Sequence, residues 1–245
     1  GNPTTRAQPD RFRNDFDLSR FSVRQICEAV RQAGIVGMGG AGFPTRVKIE
    51  PNPRLPKRTM VINGCECEPY ITCDCRIMLG RTNKSITGIR LARKTTGCSQ
   101  VFVGIEDNKP EAIEAMTAAL KDSPDSDSIK VVAVKTKYPQ GGERQLITSV
   151  LKKNVPTGGI PPMIGICVLN VATCAAIAEA VVLDKPLTHR VVTITGKGMT
   201  NHGNFYAPIG TTISDLIEHC GRITAAAAKV ISGCRRMVVA IAELS

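Results

Sequence analysis

The 245-residue chain is 42% hydrophobic and 22% charged, a globular composition that can bury one large core or two modest ones. Its 32 Lys/Arg against 21 Asp/Glu give a net charge of +11, but the basic residues are scattered, aromatics reach only 4% and Trp is absent, which argues against a nucleic-acid groove with base-stacking platforms. Ten cysteines in a chain of this length exclude a disulfide miniprotein and point to free thiols in a reducing compartment or to metal ligands. Residues 1–97 carry 17 Lys/Arg against 8 Asp/Glu, an excess that suits an acidic partner, an anionic membrane surface or a phosphorylated cofactor.

Residues 1–20 read as a polar arm or linker. Ser22-Val23-Arg24-Gln25 is a capping box, and Val23, Ile26, Cys27 and Val30 then recur at helical spacing up to Gly34. The chain next enters Gly37-Met38-Gly39-Gly40-Ala41-Gly42-Phe43-Pro44, four glycines in six residues. Their backbone N–H groups can cradle a phosphate, with Arg46 and Lys48 downstream to neutralise it. The same glycines would also serve a plain turn between packed elements. The loop is no P-loop, for no Gly-Lys-Ser/Thr ends it, and Pro44 interrupts the helix of a dinucleotide fingerprint.

After the proline-broken stretch 51–56, Thr59–Asn63 reads as a buried strand, and Gly64-Cys65-Glu66-Cys67-Glu68-Pro69-Tyr70 follows at its carboxyl end. A helix is expected over 73–94, a strand over 101–106, and a helix capped by Asn108-Lys109-Pro110-Glu111. Ile129–Lys135 reads as a strand, Tyr138–Glu143 as a loop into a helix near 144–151, and 165–183 as a buried strand followed by a helix. The run Ile164–Leu183 imitates a membrane span, but Asn170, Thr173 and Glu179 interrupt it, and no membrane span is expected. Alternating strands and helices predict an α/β fold with a mainly parallel sheet covered on both faces. After residue 187 the pattern changes to a small α+β unit. Strands are expected at 190–196 and 207–211, and a short helix capped by Thr212 ends near Gly221. Residues 225–242 fit helix and strand equally. The division is therefore an arm over 1–20, an α/β domain over 21–187 and a second unit over 188–245.

Cofactor-binding candidates gather where loops meet strand ends. Asn63 can offer its amide to a ring with alternating donors and acceptors, or simply close a turn. Glu66 and Glu68, one position apart on an extended segment, point to opposite faces and make no close dyad. Cys65, Cys67, Cys73 and Cys75 form C-x-C-x5-C-x-C. Four thiols so close suit zinc or an iron–sulfur centre, although Cys73 and Cys75 at a helix start would point apart. No catalytic dyad or triad emerges: His189, His202 and His219 all lie in the second unit and read as structural.

These motifs in this order resemble the C subunit of the Rnf ion-translocating electron transport complex. The resemblance rests on Gly34–Thr45, on Ile62-Asn63-Gly64 with Glu66–Thr72, on Gly104–Pro110, and on Lys137-Tyr138-Pro139 with Gly141-Gly142. It covers about residues 20–233 and extends more distantly to the flavin- and NADH-binding subunit of respiratory complex I. It implies a Rossmann-like FMN-binding domain followed by a β-grasp domain of the soluble-ligand-binding type. It also implies electron exchange between NADH and FMN, onward relay to two [4Fe–4S] clusters, and partner subunits of a membrane assembly on the cytoplasmic face of the bacterial inner membrane. Carried onto this chain, Gly37, Gly39, Gly40 and Gly42 would line FMN, with Lys48 near its phosphate. Asn63 and Glu66 would meet the ring side and Asn170 the phosphate side, while Phe43 would stack on nicotinamide or adenine and Glu143 would sit at the nucleotide site.

The chain departs from the family in several places. Met38 stands where complex I relatives carry Arg, Cys65, Cys73 and Cys75 replace non-cysteine positions, and Gly233-Cys234-Arg235-Arg236 stands in place of a Gly-Gly-Pro-Met-Met-Gly-like turn. The family's N-terminal barrel-sandwich domain and C-terminal cluster domain lie outside this sequence, so an excised core is expected. A cobalamin-reductase-like flavoprotein and a cofactor-free scaffold protein of the complex are the alternative readings.

Overall fold

The computed structural model describes residues 12, 17–121, 123–225, 227, 229–233 and 239–241. The arm read over residues 1–20 falls mostly outside that set, as do Cys234, Arg235 and Arg236 of the tail turn.

In chain order the elements are α1 (Val23–Gln32), α2 (Thr45–Ile49), β1 (Thr59–Asn63), α3 (Cys73–Gly80), α4 (Thr82–Thr96), β2 (Gln100–Glu106), α5 (Pro110–Lys121), β3 (Ile129–Val134), α6 (Glu143–Leu151), β4 (Ile166–Asn170) and α7 (Val171–Leu183). The second unit contains β5 (His189–Ile194), β6 (Gly203–Pro208), α8 (Ile213–His219), β7 (Val230–Ser232) and β8 (Val239–Ile241). The capping box is made in full: the Gln25 backbone N–H donates to Ser22 Oγ and the Ser22 N–H to Gln25 Oε1. Thr212 caps α8 through the Asp215 N–H.

The main sheet has the order β3-β2-β1-β4, with every pair parallel. Alternation along the strands divides its two faces. Met60, Ile62, Val101, Val103, Ile105, Cys167 and Leu169 join the larger core with α1, α4, α5 and α7, whereas Val61, Val168 and Val134 pack with Leu146 and Ile147 of α6. Because β2 and β3 build outward from one edge of β1 and β4 from the other, the chain reverses direction between β1 and β4. In open α/β sheets the crevice beyond the carboxyl ends at such a reversal is where ligands bind.

Two expectations need correction. The single helix expected over 73–94 is two, broken at Arg81 (φ −139°, ψ 34°). The break lets α3 stay at the loop end of the sheet while α4 turns to lie against α7. That contact is so close that a Cβ on Gly88 would fall 1.7 Å from the Cys174 carbonyl oxygen. The strand expected over 207–211 is displaced toward the N-terminus, because β6 pairs antiparallel with β5 from Gly203↔Ile194 to Pro208↔His189. Pro208 has no N–H to extend the ladder, and Gly210 turns the chain at φ +99°. The ambiguous stretch 225–242 contains the antiparallel pair β7–β8.

The two units touch through specific polar contacts. Thr193 Oγ1 accepts from the Thr72 N–H at 3.3 Å and donates to Asn204 Oδ1 at 2.7 Å, and Asn204 Nδ2 donates to Thr72 Oγ1 at 2.8 Å. Lys185 Nζ donates to the Tyr206 hydroxyl, and the Arg81 guanidinium lies 4.2 Å from the centre of the Tyr206 ring. Among the described residues no helix is long and apolar enough to cross a membrane.

Candidate functional site

The carboxyl ends of β1 and β4 present two asparagines, Asn63 and Asn170, that are register partners in the parallel ladder. Asn170 is the N-cap of α7: its Oδ1 accepts from the Ala172 and Thr173 N–H groups at 2.9 and 3.2 Å. The glycine loop lies across this helix end. The Met38 N–H donates to Thr173 Oγ1 at 2.9 Å, and a Cβ on Gly39 would meet Asn170 Cβ at 3.4 Å. Gly37 donates to the Phe43 carbonyl and closes the loop on itself. Gly39, Gly40, Ala41 and Gly42 remain exposed, and the side-chain position of Gly42 (φ +62°) faces open space. Bare backbone therefore borders the N-terminus of α7, where the helix dipole is positive.

Lys48 reaches the same region from α2. Its Nζ donates to the Val168 carbonyl at 3.2 Å and pairs with Glu143 at 3.3 Å, so Glu143 and Lys48 are brought together although 95 positions apart. Phe43 is 46% exposed, with Lys48 Nζ 6.0 Å from the centre of its ring.

On the β1 side the polar groups are held more tightly. Asn63 Nδ2 donates to the Gly141 carbonyl at 2.8 Å, and its Oδ1 accepts from the Cys65 N–H at 3.0 Å. The amide still has a second donor hydrogen and a second lone pair. The Gly141 N–H in turn donates to Cys67 Sγ, which clamps the 138–142 loop onto the 63–68 segment. The Glu66 carboxylate turns inward, accepting from the Asp74 N–H at 2.7 Å and the Cys75 N–H at 3.4 Å and pairing with Lys109 at 3.7 Å. It thus caps α3, which has no side-chain N-cap of its own. Burial pushes the carboxyls of Glu66 and Glu106 above their usual range. Glu68 Oε1 and both amide atoms of Gln140 are buried without a hydrogen-bond partner among the described residues, and leaving such atoms unpaired carries a desolvation cost.

Of the four clustered thiols, Cys65 is buried against the Gly104 carbonyl, Cys67 holds the Gly141 N–H, and Cys73 and Cys75 stand in the first turn of α3. Burial raises the Cys73 thiol to about 12. Among the described residues no group of three or more His, Cys, Asp or Glu side chains converges as a metal site. His189 stacks on Tyr206, His202 contacts the Gly196 carbonyl and His219 meets the edge of Phe205, all within the second unit.

Residues 30–179 match the family model of the Nuo51 FMN-binding domain. The chain belongs to that family. A second model, the SLBB domain, matches residues 191–240 of this Nuo51-family chain. The likeness to the C subunit of ion-translocating oxidoreductases holds across most of the sequence. The chain is 44% identical over 213 residues to the C subunit of the proton-translocating ferredoxin:NAD(+) oxidoreductase complex of Clostridium ljungdahlii, 87% of this chain and 46% of that protein. It is 41% identical over 216 residues to the Na(+)-translocating counterpart of Acetobacterium woodii, 88% of this chain and 48% of the relative. The chain thus spans about half the length of these relatives. A chain in the crystal structure of the NAD+-reducing [NiFe]-hydrogenase in its air-oxidised state superposes with a TM-score of 0.72 at 22% identity, covering 86% of this chain and 41% of its own length, and shares the fold.

Three residues that bind this region together were not singled out as site residues in the sequence. Asp74 holds the Asn170 amide through Nδ2 at 2.6 Å, Thr173 ties down the glycine loop, and Arg190 of β5 donates to the Met38 carbonyl at 3.3 Å. Thr173, as a polar break in an apolar run, carried the only visible signal. Asp74 was hidden inside an expected helix, and Arg190 belongs to the other unit.

Proposed function

We propose that this chain is the FMN-holding electron-transfer module of an Rnf-type NADH:ferredoxin oxidoreductase, where a bound FMN would supply hydride exchange with NADH and onward electron relay. The α/β domain over 21–187 carries the flavin, and the β-grasp-like unit over 188–245 braces it. The observation that carries the reading is the open glycine loop laid across the α7 N-terminus, at the sheet's reversal between Asn63 and Asn170. Gly39, Gly40 and Gly42 present exposed backbone to the flavin, Gly37 lines the loop while its own N–H closes it on the Phe43 carbonyl, Lys48 and Asn170 attend the phosphate end, and Asn63 with Glu66 behind it addresses the ring. Phe43 and Glu143, exposed at the rim, meet the dinucleotide. The buried, partnerless atoms of Glu68 and Gln140 beside the 63–68 segment fit a site that is completed by a ligand.

Bound FMN supplies the hydride and one-electron chemistry, so the protein needs no acid–base dyad of its own. The residues named here bind, orient and set the local charge. The partners are other subunits of a membrane electron-transport complex, which this chain joins peripherally at the cytoplasmic face of the bacterial inner membrane. Any [4Fe–4S] clusters belong to the remainder of the full-length protein. The test is reconstitution with FMN followed by anaerobic NADH titration. The expected result is a yellow protein whose flavin band bleaches on NADH addition. A colourless protein that takes up no FMN would leave only the scaffold reading.

A further inference from the structure

The Asp74 carboxyl is buried between Asn170, assigned above to the phosphate end, and Glu66. Its Oδ2 accepts from Asn170 Nδ2 at 2.6 Å, while the other end of that amide caps α7. Its backbone N–H is held by Glu66. Two charged groups act on it. Glu66, itself paired with Lys109, lies on the 64–72 segment, and Arg190 comes from β5 of the second unit. The glycine loop and the first turns of α7 bring no charge to it.

We propose that Asp74 is a positioning residue for the phosphate end: it fixes which way the Asn170 amide faces, and its charge sets how readily a phosphate monoester is accepted there. The inference rests on the flavin reading of the site. In either protonation state an oxygen of Asp74 accepts from Asn170 Nδ2, so the clasp persists across the titration and only the charge changes. Burial, reinforced by Glu66, pushes this carboxyl up to about 7, with Asn170 and Arg190 opposing the shift. Below that pH the group is neutral and tolerates an anion beside Asn170. Above it, a negative charge that Arg190 only partly offsets repels the phosphate. Arg190 offsets part of this repulsion and so links the phosphate end to the second unit.

The experiment measures FMN and riboflavin affinity by quenching of flavin fluorescence at pH 5.5 and 8.5 for the wild type, Asp74→Asn and Asp74→Leu. It also follows the Asn170 side-chain amide by ¹⁵N NMR across the same range without flavin. Asp74→Asn is expected to bind FMN about tenfold more tightly than the wild type at pH 8.5 and equally at pH 5.5, with riboflavin indifferent at both. The phosphate's own ionisation is common to both proteins and cancels in the ratio. Asp74→Leu leaves Asn170 without its acceptor and weakens FMN binding at both pH values. A wild-type to Asp74→Asn ratio that does not change with pH, or that is matched by riboflavin, overturns the proposal. If the wild type takes up no FMN at either pH, the flavin reading fails, and the amide signal decides the clasp alone. A shift through pH 7 that Asp74→Asn abolishes upholds the clasp, and a flat signal overturns it.

Discussion

Glycine does opposite work in two regions of this protein. At buried Gly88 the missing side chain lets α4 and α7 come into backbone contact. In the 37–42 loop the missing side chains leave backbone exposed over a helix N-terminus, with nothing of the protein filling the space at Gly42. One glycine is required by packing, and the others leave backbone bare at the surface. The contrast separates glycines that let the chain pack from glycines that leave backbone open, a distinction that composition alone cannot make.

The largest expected effect breaks the first member of the comparison. A Cβ at Gly88 would overlap the Cys174 backbone, which is not a flexible side-chain end that could move aside, so Gly88→Ala forces the two helices apart. It should cost about 3 kcal/mol or more, read as a fall in the urea midpoint or as failure to fold. The second variant makes the opposite test. At Gly39 the backbone is not left-handed and a Cβ meets Asn170 at an ordinary contact distance, so Gly39→Val should keep the thermal midpoint within a few degrees. The branched side chain would nonetheless crowd the cradle and should weaken FMN binding by about a hundredfold, roughly 2.7 kcal/mol. Unchanged FMN affinity would move the site elsewhere. The smallest effect is a control remote from both regions. Ser22→Ala removes the Oγ acceptor of the capping box at the start of α1 and should cost about 1 kcal/mol in thermal unfolding without touching FMN affinity.

Much of the architecture was legible because it is local. The Ser22–Gln25 box, the apolar strand Thr59–Asn63, the helix entry at Pro110 and the glycine cluster each announce themselves within a few residues, since caps, alternation and turn chemistry act over that range. The break at Arg81 was not legible. Nothing in Gly80-Arg81-Thr82 forbids a continuous helix as firmly as a proline would, and the bend is set by where α7 lies. The start of β6 was misplaced for a similar reason: its register depends on the partner strand rather than on its own propensity.

The sequence by itself determined an alternating α/β chain with a glycine-rich loop, polar strand ends and a change of character near residue 187, and it carried a family resemblance that most of the chain upholds. Only the tertiary structure decided that Asn63 and Asn170 stand side by side, that Glu66 caps α3 instead of standing free, and that Asp74 and Arg190 belong to the same small region. The reason is distance along the chain. A helix cap or a strand face is specified by neighbours a few positions away, but contacts between residues 74 and 170, or 38 and 190, exist only once the sheet has formed and the second unit has packed against its loop end.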